Sequence, residues 1–238
     1  MTEAMNVDGD GDGGDETFRS CLSSLLDTGS VESHRYYLSR KTLLEMLRDR
    51  GFAVPNCEIE LPLEEFRTKH GDILDVDGFR ISSLHKDDPS IKLAEVYAVV
   101  LKVLVLFCEP GIIKVNVVRG ITTKIQEGLD RLILVVQGKM TSQALKAVEL
   151  FKFKVEIFQI TDLLVNITKH ELKPKHQVLT DAEKEKLLNQ YSIEEKQLPR
   201  MLQKDAIARY YGLEKGQVVK VTYSGELTQL HITYRCVW

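Results

Sequence analysis

The chain has 238 residues, 43% of them hydrophobic, and a formal net charge of −3. That length fits one large or two small domains with a real core. The slightly acidic balance argues against a free-standing nucleic-acid binder, which ordinarily carries a basic excess. Cys21, Cys57, Cys108 and Cys236 lie far apart without CxxC spacing, a pattern that fits a reducing compartment and neither a disulfide framework nor a zinc site.

Residues 1–16 carry Glu3, Asp8, Asp10, Asp12, Asp15 and Glu16 and no base. Asp8 to Gly13 imitates the opening of a calcium loop, but the twelfth position, which needs a bidentate Glu, is Arg19. The composition is that of a disordered acidic leader over residues 1–28. An acidic, Gly-rich start also lacks the basic-then-apolar order of a secretory signal. The apolar run 93–107 is interrupted by Glu95 and Lys102 and is too short to cross a bilayer, so no membrane partner is expected.

Residues 33–50 predict a helix. Tyr36, Leu43 and Leu47 recur at helical spacing, as do Tyr37 and Leu44, and Gly51 follows as a stop. Arg35, Arg40, Lys41, Arg48 and Arg50 make it basic, but Glu45 and Asp49 interleave, so a solvated face is favoured over a nucleic-acid surface. Phe66 anchors another short helix. The middle of the chain alternates strands (103–107, 132–136, 155–160) with helices (112–126, 141–151). In the second helix Ala144, Leu145, Val148 and Leu150 are expected to face inward. This order implies parallel strands with right-handed crossovers, hence a three-layer α/β domain with a mainly parallel sheet.

No glycine-rich phosphate loop follows any of these strands, so no cofactor is expected. His170 and His176 bracket Pro174 without metal-ligand spacing and read as structural. A metal nuclease needs clustered acids at strand ends. Asp130 precedes one strand, and Glu156, next to Lys154, reads as a solvent-side residue of the alternation, so no catalytic residues are expected. The loop 138–143 lies at a strand's carboxyl end, where open α/β sheets bind ligands.

Thr180 and Glu183 form a capping box opening a helix through Tyr191, and Ser192 to Glu195 repeats the pattern. Asp205 caps a short helix that Gly212 ends. Val219, Val221 and Tyr223 share one face of a half-buried strand, and Ser224-Gly225-Glu226 offers a turn. Leu230, Ile232, Tyr234, Cys236 and Trp238 alternate in a second strand that closes the chain.

Leu198-Pro199-Arg200, Asp205, Ala208-Arg209-Tyr210-Tyr211-Gly212-Leu213 and Gly216-Gln217-Val218-Val219-Lys220 together resemble the carboxy-terminal signature of the fifth subunit of eukaryotic nuclear RNA polymerases, whose archaeal counterpart covers this part alone. The segment from His170 to His176 resembles the start of that module, and the likeness reaches upstream to about His34. It implies a nuclear, non-catalytic polymerase subunit. A jaw domain (29–168) would lie near downstream DNA, and a small α+β assembly domain (169–238), ending in a β-hairpin, would dock on the largest subunit among other polymerase subunits. The resemblance assigns the assembly interface to Arg200, Asp205, Arg209, Tyr210, Tyr211, Gly212, Gly216, Glu226 and Arg235, and a DNA-facing loop to Lys139, Thr141 and Ser142.

The sequence departs from the common pattern in two places. Residues 92–102 look about ten residues longer than the family's segment. The hairpin holds Tyr223, Gly225, Leu227, Gln229, Leu230 and His231 where the shared subunit has Arg-x-Ser-Glu-Thr and Gly-Arg-Tyr. An arginine fork has no substitute in Tyr or Leu, so this hairpin is expected to face a different partner surface. The ending from Tyr234 to Trp238 resembles the divergent plant subunits of RNA polymerase V, the polymerase of RNA-directed silencing. The alternatives are the common subunit of polymerases I, II and III or, in another class, a standalone α/β nucleic-acid-binding protein or nuclease.

Overall fold

The computed structural model describes residues 30–71, 79–85, 102–125, 128–225 and 229–238. The acidic leader, the calcium-like stretch, Cys21, residues 92–101 of the lengthened segment and Glu226 lie outside them. The first helix, α1 (Val31–Asp49), buries Tyr36, Leu43, Leu44, Met46 and Leu47. Short helices α2 (Asn56–Ile59) and α3 (Leu63–His70) follow; Phe66 of α3 is fully buried. Burying a side chain of that size contributes roughly 2–3 kcal/mol.

The first sheet runs β1 (Arg80–Leu84), β2 (Lys102–Phe107), β3 (Arg131–Val136) and β4 (Lys154–Gln159) in that spatial order. β2, β3 and β4 are parallel, as the strand–helix alternation predicts, while β1 joins β2 antiparallel as an edge the sequence reading had not assigned. Helices α4 (Val115–Lys124) and α5 (Ser142–Glu149) supply the crossovers. The pleat sorts the side chains. Val103, Val105, Phe107, Ile133, Val135 and Phe158 pack toward α1 and α3, while Leu104, Leu106, Leu132, Leu134 and Val136 pack toward α4 and α5. The expected three layers are therefore present.

Two details of the crossovers differ from expectation. Ile112 lies before α4 and is exposed; its neighbour Ile113 bridges Met140 instead. In α5 only Ala144 and Val148 are buried. Leu145 is 43% and Leu150 84% exposed, because Leu145 is rotated about 100° from the inward stripe and Leu150 is already the cap.

The second sheet has the order β5 (Lys175–Val178), β7 (Val218–Gly225), β8 (Gln229–Val237), β6 (Arg200–Met201). The β7–β8 hairpin is antiparallel, and β7 continues through Ser224 and Gly225, so those two residues extend the strand rather than turn it. Helix α6 (Asp181–Tyr191) opens with the expected Thr180–Glu183 capping box. The second box is Glu194–Gln197; Ser192 instead sits at φ 52° as the left-handed end of α6. Helix α7 (Ala206–Tyr211) covers the sheet face bearing Val219, Val221 and Val237. Residues Leu187 and Leu198 cover the other, against Val218 and Cys236.

Candidate assembly site and the joint behind it

Helix α7 is the pivot of the signature. Asp205 accepts a 2.8 Å bond from the Ile207 N–H at its start, and Gly212 ends it at φ 65°, ψ 34°, both as the sequence predicts. A helix of six residues is marginal alone, and this one is held from both sides. Ala208 packs into the core of the second sheet, while Tyr210 belongs to the core beneath α1.

Arg50, just past α1, holds the end of α7. Its Nε donates to the Tyr210 carbonyl at 2.7 Å and its Nη2 to the Arg209 carbonyl at 2.7 Å. These are last-turn carbonyls, that of Arg209 also accepting from the Gly212 N–H at 3.0 Å, and there a cation meets the negative end of the helix dipole. The same guanidinium forks onto Glu156, at 3.1 and 2.8 Å. Arg131 donates to Glu156 at 3.3 Å, and Lys154 bridges the Gly212 carbonyl at 3.1 Å and Glu214 at 3.0 Å. A side chain at Gly212 would place its Cβ 3.0 Å from Arg131 Nη1 and 3.1 Å from Arg50 Cζ, on a left-handed backbone.

Glu156 is therefore not a solvent-side residue. Strand alternation puts it on the face shared with Phe158, and that face is covered where α7 docks. Its side chain is 12% exposed and that of Arg50 4%. Burial by itself raises the Glu156 carboxyl, but the Arg50 charge and hydrogen bonds, with Arg131 and Lys154, hold it below the usual carboxylate range. Asp130 serves the backbone, accepting from the Lys102 N–H at 2.8 Å.

A second polar cluster flanks the first. Tyr210 Oη donates to Asp49 at 2.7 Å. Glu45, buried on α1, accepts from Asn166 at 2.7 Å and pairs with Lys169. Burial raises the Glu45 carboxyl, but Asn166 and Lys169 prevail and it too lies below its ordinary value. Arg209 donates to Asp162 at 3.0 Å and to the Ile157 carbonyl at 2.7 Å, with its guanidinium 4.5 Å from the centre of the Phe158 ring. The expected basic face of α1 is in part spent the same way, with Arg40 paired to Glu58.

The structure thus divides eight of the nine signature residues, Glu226 lying outside the described ones. Arg209, Tyr210 and Gly212 form the joint between the two halves, with Tyr211 half-buried beside them under Lys173. Asp205 is spent on the cap. Arg200, Gly216 and Arg235 belong to the far sheet. Arg200 lies 4.5 Å over the Trp238 ring, the Gly216 N–H donates to the Val237 carbonyl at 2.9 Å, and Arg235 stands opposite Val219. Sequence reading assigns Arg50 to a solvated helix face and Lys154 to the neighbourhood of Glu156, and it does not single out Arg131 or Glu214. The one visible signal is the placing of Arg131 and Lys154, with Glu156, at the ends or middle of apolar strands, which alternation alone assigns to solvent.

The loop 138–142 is fixed by backbone packing. A Cβ on Gly138 would lie 1.9 Å from the Gly111 carbonyl oxygen, so only glycine lets the loops after β2 and β3 meet. The Ile113 N–H donates to the Lys139 carbonyl and the Thr141 N–H to the Ile113 carbonyl, each at 3.1 Å. Thr141 Oγ1 accepts from the Ala144 N–H at 3.2 Å as the cap of α5. Lys139 and Ser142 are exposed, and so is Lys114, beside the bridge of Ile113 to Met140. Sequence separation hid Lys114 as a second cation of this surface.

The chain is thus a two-sheet protein with one signature helix shared between its cores, and comparison with known proteins gives its family. The family model RNA polymerase Rpb5, N-terminal domain, matches residues 30–125, and RNA polymerase Rpb5, C-terminal domain, matches residues 165–237. The chain belongs to the Rpb5 family of RNA polymerase subunits. It is 58% identical to DNA-directed RNA polymerase V subunit 5A of Arabidopsis thaliana over 92% of this chain and 95% of that one. Identity to DNA-directed RNA polymerases IV and V subunit 5B of the same plant is 56%, over 89% of this chain and 94% of that one. To the subunit RPABC1 of polymerases I, II and III from Caenorhabditis elegans it is 38%, over 87% and 97%.

Proposed function

We propose that this protein is a nuclear, non-catalytic subunit of the plant silencing polymerase, RNA polymerase V. The observation that carries this is the gap between 58% identity to a polymerase V subunit and 38% to the shared subunit, each over nearly the whole length. In this reading residues 29–168 are the jaw and 169–238 the assembly domain, with Arg200, Gly216, Glu226 and Arg235 left for the largest subunit because Arg209, Tyr210 and Gly212 are used internally. The exposed Lys139, Ser142 and Lys114 suit weak phosphate contact with downstream DNA inside the assembled enzyme.

The test is affinity purification of tagged full-length protein from nuclei, with identification of the co-purifying largest subunit. Recovery of the polymerase V largest subunit in excess over those of polymerases I, II and III is the expected result. Equal recovery of the latter three supports the shared-subunit reading.

A further inference from the structure

The hairpin contains an unfinished sheet edge. Odd-numbered residues of β8 bond to β7, as the Val237 N–H does to the Gln217 carbonyl at 2.9 Å. Even-numbered ones face the opposite side, where the Cys236 N–H donates to Pro199 at 2.8 Å and the Trp238 N–H to Met201 at 2.9 Å. β6 covers that side only opposite Cys236 and Val237. The same alternation points the N–H and C=O groups of Leu230, Ile232 and Tyr234 outward, and no backbone partner meets them among the described residues.

Exposed edges are normally blunted by charge, proline or a bulge. From Leu230 to Tyr234 there is no Lys, Arg, Asp, Glu or Pro, and the β7–β8 register runs without interruption. On one face of this edge the side chains of Leu230 and Ile232 are apolar and uncovered. Leu230 is 68% and Ile232 39% exposed, whereas Cys236, further along the same face, is buried. The edge therefore offers backbone hydrogen bonds over about five residues, roughly 17 Å of strand, beside side chains that favour an apolar neighbour.

We propose that this edge is a strand-addition site that takes one extended, uncharged segment of another polymerase subunit, with apolar side chains at alternate positions. The proposal rests on the reading of the chain as a polymerase subunit. It adds a mode of contact: backbone pairing continues the edge that β6 starts, and Leu230 and Ile232 select apolar side chains on the incoming strand.

The test uses tagged full-length wild type and Ile232→Pro. Because the Ile232 N–H points away from β7, proline there removes no hairpin hydrogen bond. Recovery of the other polymerase subunits should fall about tenfold, the effect of losing one to two hydrogen bonds. In parallel, amide exchange of the wild type is followed free and in the assembled polymerase. The amides of Leu230, Ile232 and Tyr234 should exchange fast in the free chain and slowly in the complex, a readout that does not depend on the variant folding. A wild type that brings down no polymerase overturns the subunit reading itself. A wild type that brings it down with those three amides still exchanging fast overturns strand addition alone. Concentration-dependent protection of the same amides in the isolated protein identifies a second copy as the occupant and overturns the proposed partner.

Discussion

Arg50 and Glu156 stand 106 positions apart and meet through two hydrogen bonds of 3.1 and 2.8 Å, while the same guanidinium closes the end of α7. Removing it takes the fork from a buried carboxylate, which keeps only the Arg131 bond at 3.3 Å, and takes the guanidinium donors from two helix carbonyls. Arg50→Ala should therefore cost about 3–5 kcal/mol. Arg50→Lys restores a charge but not the fork and should still cost about 1–3 kcal/mol. Urea denaturation midpoints of the three proteins check the order.

The joint should loosen in acid. The folded-state pKa of Glu156 lies below its ordinary value. Its ionised form therefore contributes stability in full above the unfolded-state value of about 4.3, and the contribution fades as pH falls through the folded value. Glu45 acts in the same direction. Glu156→Gln should be less stable than wild type at pH 7, and the gap should close below about pH 4. A gap unchanged from neutral to acid pH contradicts the assignment.

Two glycines should respond oppositely to alanine. Gly138→Ala drives a Cβ into the Gly111 carbonyl and should cost about 1–3 kcal/mol. Gly120, inside α4, has nothing within 4 Å of the new atom, so Gly120→Ala should gain about 0.5–1 kcal/mol. Thermal unfolding of each variant measures both signs.

The two cations flanking the bridge between Ile113 and Met140 should act together. Lys139→Ala and Lys114→Ala should each reduce crosslinking to downstream DNA in the assembled polymerase and lower the salt slope of DNA binding by about one. Identical crosslinking in both variants and wild type removes this surface from the DNA path.

The hairpin tip should govern the choice of polymerase. Tyr223 and His231 are cross-strand partners with ring centres 5.9 Å apart, in positions where the shared subunit differs. Discrimination comes as much from mismatch on the wrong partner as from fit on the right one. The set Tyr223→Arg, Gly225→Ser, Leu227→Thr, Gln229→Gly and Leu230→Arg should raise recovery of the polymerase II largest subunit relative to that of polymerase V in a competitive pull-down. A constant ratio places the selector elsewhere.

The sequence by itself determined whatever depends on neighbours along the chain. The Thr180–Glu183 box, the Asp205 cap and the Gly212 stop are local hydrogen-bond and φ/ψ requirements, and each formed as read. The apolar strand Arg131–Val136 and its parallel partners followed from apolar runs alternating with helical segments, and the ordered signature from Leu198 to Lys220 marked the family. Only the tertiary structure decided what covers each face. Glu156 obeys the strand alternation, yet its face meets α7 from the other half of the chain, so a residue assigned to water became a buried ion partner. Arg209 and Tyr210, which the resemblance assigns to the assembly interface, also reach the Ile157 carbonyl and Asp49 in the first half of the chain, contacts that spacing along the sequence does not show. The open edge at Leu230 to Tyr234 was equally hidden, because periodicity tells which way side chains point, while the length of β6 decides which backbone groups are left unpaired.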